Sequence, residues 1–440
     1  MAIKELDRTV QPNIKPVSKI NIPKPEIIEL SNGFKVISAK AGSQDLIKIE
    51  VIFRAGTRYQ SKSLVAKASI SNLREGTKKR SSKQIAEELD FYGSFIEPSI
   101  NRDFASVSFY TTGKHFFKSF DVFSDLLLNP TFPEHELDIF RQKGKQSLLV
   151  EMEKVSTLSR MGFYKALFGD NHPYGTFALP HDYEMIERDD LVNFSNKFYK
   201  GKGGAIVITG NFDSEQLDFI KGSFASSRFD GQTDEEYILP RIKSNEKKIF
   251  TYKNEAVQAS IRIGRIFPER THPDMPALQI LNTILGGYFG SRLMRNIRED
   301  KGYTYGINSF IVPHSYLSVF VVSTEVGNNF VEHTISEIKK EIQRLKSEPV
   351  SNDELNLVKG YMIGQVLRTF DGPFAIADSL AGLFEYNNFD FDYISNTINT
   401  INSVTPEQLM ELAGKYFDTD SMVYSVSGSQ IPDGFTQNTF

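Results

Sequence analysis

Seven histidines are the side chains best suited to hold a metal or move a proton near neutral pH: His115, His135, His172, His181, His272, His314 and His333. None lies three to five residues from another, so no local two-histidine metal motif exists. Cysteine is absent, which removes disulfides, thiolate metal clusters and thiol nucleophiles and leaves the redox compartment open. No Ser-His-Asp assignment follows from spacing. Gly286-Gly287-x-x-Gly290 looks like a phosphate loop, but it follows a helix and lacks the Lys-Ser/Thr of a P-loop. Gly201-Lys202-Gly203-Gly204 precedes a strand and reads as a turn. Lys78-Lys79-Arg80 reads as a solvated turn rather than a nucleic-acid patch. His172 has no partner near it in sequence and reads as a structural loop histidine.

The elements that must position any site come from a chain of 440 residues, which at roughly 100–200 residues per domain predicts two or more domains. Hydrophobic residues make up 40% and charged residues 24%, the balance of a globular chain. A net charge of −4 argues against a protein built to hold nucleic acid. No run of 18 or more apolar residues exists, so no membrane span is expected. The opening MAIKELDRTVQPNIKP has no apolar h-region, which points to the cytoplasm, with the periplasm as the alternative.

Residues 1–23 are polar, Lys-rich and carry Pro12, Pro16 and Pro23, and read as an extended arm. Ile47, Ile49, Val51 and Phe53 alternate with polar residues, which predicts a half-buried strand. A short helix is expected from Ser63 to Leu73, ending at Gly76. Ser81 and Gln84 have capping-box spacing for the next helix, with Ile85 and Leu89 inward. Phe104 to Tyr110 alternates as a strand. Pro133-Glu134 opens one long helical stretch to about Phe168. Residues 229–245, FDGQTDEEYILPRIKSN, are acidic and polar with a proline and read as a linker.

Leu191, Phe194, Lys197, Phe198 and Tyr199 precede AIVITG, which ends at Gly210; Leu409, Leu412, Lys415, Tyr416 and Phe417 precede VYSVSG, which ends at Gly428. Every pair is 218 residues apart, the mark of an internal repeat. The expected fold class is therefore α+β: two similar domains, residues 24–228 and 246–440, each a mostly antiparallel sheet covered by helices.

The segment from Phe53 to Tyr110 resembles the N-terminal half of the pitrilysin/insulinase-type zinc peptidases, the inverted zincins. In that family a strand ending in glycine leads to a helix carrying H-x-x-E-H, then Gly-Thr, a helix, a glycine turn and a substrate-binding strand. The resemblance covers nearly the whole chain from about residue 24 and includes His172-Pro173-Tyr174-Gly175. It implies two domains facing each other as half of a clamshell chamber. Anchored on Gly76-Thr77, the H-x-x-E-H positions fall on Lys67, Ile70 and Ser71. Two imidazoles at i and i+4 share a helical face and grip zinc, and the glutamate takes a proton from metal-bound water. An ammonium, a hydrocarbon and a hydroxyl can do neither. The third family ligand, a glutamate on the long helix, corresponds to Glu151; a solvated helix residue beside Glu153 and Lys154 is the plainer account of it.

Residues 284–310, ILGGYFGSRLMRNIREDKGYTYGINSF, resemble the C-terminal half of the same family, where a glycine-rich stretch precedes S-R-L and an Arg-x6-Tyr pair. Gly286, Gly287, Ser291-Arg292-Leu293, Arg298, Gly302 and Tyr305 match. The resemblance makes Arg298 and Tyr305 the pair that reaches the substrate backbone near the scissile bond. A guanidinium and a phenol can both donate to a carbonyl oxygen as it gains charge. Gly302 is expected to end the Arg298 helix and Tyr305 to start a strand. Ordinary packing of a helix arginine and an edge tyrosine is the alternative.

Losing one motif and keeping the other implies a non-catalytic, substrate-binding subunit of a heteromeric zinc metallopeptidase, inactive alone. No cofactor is expected in this chain, with zinc held by a related catalytic subunit carrying H-x-x-E-H. Peptides are the expected substrates, nucleic acid and membrane are not expected partners, and a homodimer is the alternative when the catalytic subunit is missing. A structural scaffold of peptidase-like fold is the competing reading; it would need neither motif.

Overall fold

The computed structural model describes residues 9–10, 23–231, 247–386 and 389–438. The arm expected over 1–23 and the linker expected over 229–245 thus lie mostly outside the described residues. The first half runs β1 (Glu26–Glu29), β2 (Lys35–Lys40), β3 (Ile47–Phe53), α1 (Val65–Ser71), α2 (Ser82–Phe91), β4 (Phe95–Ile100), β5 (Ala105–Thr111), α3 (Phe116–Leu128), α4 (Glu134–Met152), α5 (Val155–Phe168), α6 (Asp182–Met185), α7 (Arg188–Phe198), β6 (Ala205–Gly210) and α8 (Ser214–Phe224). The second runs β7 (Lys248–Tyr252), β8 (Gln258–Phe267), α9 (Met275–Asn282), β9 (Ile307–Pro313), β10 (Ser318–Gly327), α10 (Val331–Ser347), α11 (Asn352–Arg368), α12 (Pro373–Tyr386), α13 (Asp392–Ser403), α14 (Pro406–Tyr416), β11 (Val423–Gly428) and β12 (Thr436–Asn438). Two π-wound helical segments, Thr283–Gly287 and Met294–Asp300, join α9 to β9.

Each half holds one six-stranded sheet, in the orders β1-β2-β6-β3-β5-β4 and β12-β7-β11-β8-β10-β9. AIVITG and VYSVSG, as β6 and β11, occupy the same place: parallel to β2 or β7 on one side, antiparallel to β3 or β8 on the other. The 218-residue offset extends further, since α4 and α11, α5 and α12, and α7 and α14 also start 218 residues apart. The sheets differ at one edge. There β1 is antiparallel to β2, whereas β12, from the end of the chain, is parallel to β7.

The halves exchange a helix. From the first half, α5 lays Phe163, Ala166, Leu167 and Phe168 on Ile249, Val319, Val321 and Val423 of the second sheet. From the second half, α12 lays Ile376, Ala377, Leu380 and Ala381 on Ile37, Ile52, Ala205 and Val207 of the first. At about 1.5–3 kcal/mol per fully buried aliphatic or aromatic side chain, each contact is a substantial share of a domain's stability. Gly162 lets α5 lie close to the foreign sheet: a Cβ there would come within 2.9 Å of Ile249 Cδ1 and Ser425 Oγ.

This exchange corrects two sequence expectations. The single helix expected up to Phe168 is two helices, because Lys154 is extended (φ −85°, ψ 127°) and turns the chain toward the other half. Strand β3 is buried on both faces, not one, because α12 covers the face that alternation assigned to solvent. Lys48 on that face is 2% exposed, and its Nζ reaches Asp378 of α12 at 2.5 Å and Glu50 at 3.6 Å. Other expectations hold. Ser81 and Gln84 make the reciprocal capping box of α2, satisfying two otherwise orphaned N–H groups.

Candidate functional site

A cavity of about 1130 Å³ opens between the halves. Lys67 of α1 and Leu64 just before it, Asn101 and Arg102 of the turn after β4, Glu151 of α4, and Arg160 and Tyr164 of α5 form much of its wall. Val312, Pro313 and His314, with Tyr386 of α12, supply the second half's share. The first and third family ligand positions, Lys67 and Glu151, therefore face one space.

The other two ligand-helix positions do not. Ile70 is 1% exposed and packed into the first half's core, and half-buried Ser71 is not part of the wall. Glu151 Oε1 accepts from Lys154 Nζ at 2.6 Å, and Oε2 accepts from Thr157 Oγ1 at 3.4 Å. The hydrogen bond from Lys154 holds its carboxyl below the usual range. An ammonium, a core hydrocarbon and an engaged carboxylate do not fit a zinc ion. Among the described residues no three His, Asp or Glu side chains gather in a metal-holding group.

Arg298 and Tyr305 stand elsewhere, in the second half and outside the cavity wall. Arg298 lies on the Met294–Asp300 segment, its guanidinium 4.6 Å over the Phe289 ring. Gly302, at φ +66°, follows that segment as glycine can. Tyr305 is 93% exposed and precedes the strand it was expected to start; β9 begins at Ile307. The reason is local: Thr304 Oγ1 donates to the carbonyl of Gly306 and accepts from its N–H, holding a turn there.

A buried polar hub joins the halves, and sequence reasoning missed it. Asp103 is 1% exposed. Its Oδ1 pairs with Arg58 Nη1 at 3.1 Å and accepts from the Tyr174 hydroxyl at 2.6 Å. Its Oδ2 accepts from the backbone N–H of Ser315 at 3.0 Å. Burial works against the Arg58 charge, but Asp103, Tyr59 and Tyr174 together more than offset it and raise the guanidinium above its ordinary pKa. Burial, reinforced by Asp103, pushes the Tyr174 phenol up. His314 stacks on Tyr174 at 4.4 Å, and burial pushes its imidazole down to about 4. His172 is structural: its Nδ1 accepts from the Tyr174 N–H at 3.1 Å and its ring stacks on Phe168. The one sequence signal was His172-Pro173-Tyr174-Gly175, which gives no hint of Asp103.

Two family models match, one described as "Insulinase (Peptidase family M16)" over residues 35–170 and one as "Peptidase M16 inactive domain" over residues 185–362. The chain belongs to the M16 peptidase family. Among its M16 relatives, an uncharacterized zinc protease, YmxG, of Bacillus subtilis is 23% identical over 405 residues, covering 90% of this chain and 97% of that one. The beta subunit of the mitochondrial-processing peptidase of Rattus norvegicus is 22% identical over 97% of this chain and 89% of its own length. A crystal structure described as a peptidase M16 inactive domain from Pseudomonas fluorescens superposes with a TM-score of 0.82 at 21% identity, covering 92% of this chain and 98% of that one. The last comparison establishes the two-domain M16 fold. In this chain, Lys67, Ile70 and Ser71 of α1 stand where the resemblance placed the H-x-x-E-H positions.

Proposed function

We propose that this chain is the non-catalytic, substrate-holding subunit of a two-chain zinc peptidase, working with a related subunit that carries H-x-x-E-H and the metal. The observation that carries this reading is the contrast between two motifs. Lys67, Ile70 and Ser71 cannot ligate zinc or take a proton from water, while Arg298 and Tyr305 keep the family spacing and Tyr305 is 93% exposed. The partner's metal would activate water. Arg298 and Tyr305 would donate hydrogen bonds to the peptide backbone and stabilise charge on the carbonyl under attack. The similarity to a chain named as one subunit of a processing peptidase supports a partner. We place the pair in the cytoplasm; among the described residues no helix is long and apolar enough to cross a membrane.

Reconstitution tests the reading. Mixed with a related chain bearing H-x-x-E-H, this chain should form a complex on size-exclusion chromatography and raise peptide hydrolysis above that of the partner alone. A complex that forms without any gain in hydrolysis points instead to a scaffold.

A further inference from the structure

The wall of the cavity is basic in a chain that is net acidic. Among the described residues that line it, Arg58, Lys67, Arg102 and Arg160 face Glu151 and Asp182. The acids are already engaged. Asp182 Oδ2 accepts from the Leu179 N–H at 2.8 Å and its Oδ1 lies 3.3 Å from His181, while both Glu151 oxygens are taken by Lys154 and Thr157. Asp103 serves Arg58, Tyr174 and Ser315 with its two oxygens, so it offsets the charge of the adjacent Arg102 only in part.

Arg102 instead donates to Thr57 Oγ1 at 3.4 Å and stacks on Phe177 at 4.9 Å. Burial, only partly relieved by Tyr164 and Asp103, lowers its pKa to about 10. Arg160 adds to this by repulsion, and Arg262 of β8 and Arg160 both act on the phenol of Tyr164. Arg262 has a buried Nε with no hydrogen-bond partner, and so does His314 at Nε2, whose ring is 7% exposed at the cavity wall. Gathering guanidinium groups in a confined space whose carboxylates are already engaged costs stability unless an anion completes the site.

We infer that this chamber takes acidic peptides, with Lys67, Arg102 and Arg160 binding their carboxylates. Guanidinium groups suit this ligand because they meet a carboxylate with paired N–H donors. The inference rests on the peptide-holding role proposed above and adds the substrate's charge.

Calorimetric titration of the full chain with three peptides of equal length tests it: one rich in Asp and Glu, the same peptide amidated at its C-terminus, and one with Lys in place of each acid. The acidic peptide should bind at least about tenfold more tightly than the basic one, and added salt should weaken it. Arg160→Gln, at an exposed position, and Arg102→Gln should each weaken the acidic peptide several-fold and leave the basic peptide unchanged. Loss of binding on amidation assigns the site to a terminal carboxylate, and persistence assigns it to side chains; both support carboxylate recognition. Equal binding of acidic and basic peptides, or full acidic-peptide affinity in both folded variants, overturns the charge preference alone. Binding of no peptide overturns both it and the peptide-holding role.

Discussion

The carboxylate of Asp103, from the first half, accepts a hydrogen bond from the backbone N–H of Ser315, from the second, at 3.0 Å. The same carboxylate holds Arg58, which is 2% exposed and stacks on Tyr316 at 4.9 Å. Asp103→Asn should therefore strand a buried guanidinium, at a cost of about 3–5 kcal/mol. Urea unfolding at pH 7 measures this, and a variant as stable as the parent would show that the pair does not hold the halves together.

The exchanged helices make a mechanical prediction. A protease site inserted between residues 232 and 246 and then cut should leave two fragments that co-elute in native buffer and part only in denaturant. Separation without denaturant would contradict the interlock. Gly162→Val should cost about 1–3 kcal/mol, because the new side chain meets Ile249 and Ser425.

Two groups set opposite limbs of a pH–stability profile. Burial, helped by Glu50, raises Glu385 from 4.5 to about 8, so the folded chain keeps a proton that the unfolded chain loses. Its contribution is complete below about 4.5 and fades as pH rises through about 8. Burial lowers His314 from 6.5 to about 4, so stability present above 6.5 is lost as pH falls through that window. Glu385→Gln should stabilise the chain at pH 9 by on the order of 2 kcal/mol and leave pH 5 nearly unchanged. Thermal melts across pH 4–9 read both limbs, and an alkaline limb unaltered by Glu385→Gln would remove this residue as its source.

Metal analysis is the direct check on the degenerate helix. The purified chain should carry no stoichiometric zinc and cleave no peptide by itself. About one zinc per chain, abolished by Glu151→Gln, would overturn the assignment of Lys67, Ile70 and Ser71 as non-ligands.

Tyr305 allows a clean separation of roles, since a side chain 93% exposed contributes little packing. In the reconstituted pair, Tyr305→Phe or Arg298→Ala should reduce turnover by about 10²–10³-fold, while the melting temperature and the elution volume stay put. Unchanged turnover in both assembled variants would favour the scaffold role.

The sequence by itself determined the duplicated α+β plan. A constant offset links the residues before AIVITG to those before VYSVSG, and local chemistry marks element ends such as the Ser81–Gln84 capping box and the Gly302 stop. It also determined that Lys67, Ile70 and Ser71 cannot do a metal helix's work, since that follows from residue type. Only the tertiary structure decided where α5 and α12 go. Lys154 turns the chain with no proline or glycine to announce it, and β3 alternates like a half-exposed strand although a helix from more than 300 residues away covers its second face. Asp103, Arg102 and His314 were silent for the same reason. Periodicity and capping are carried by neighbours in the chain, whereas burial, charge compensation and the walls of a chamber depend on which distant surfaces meet.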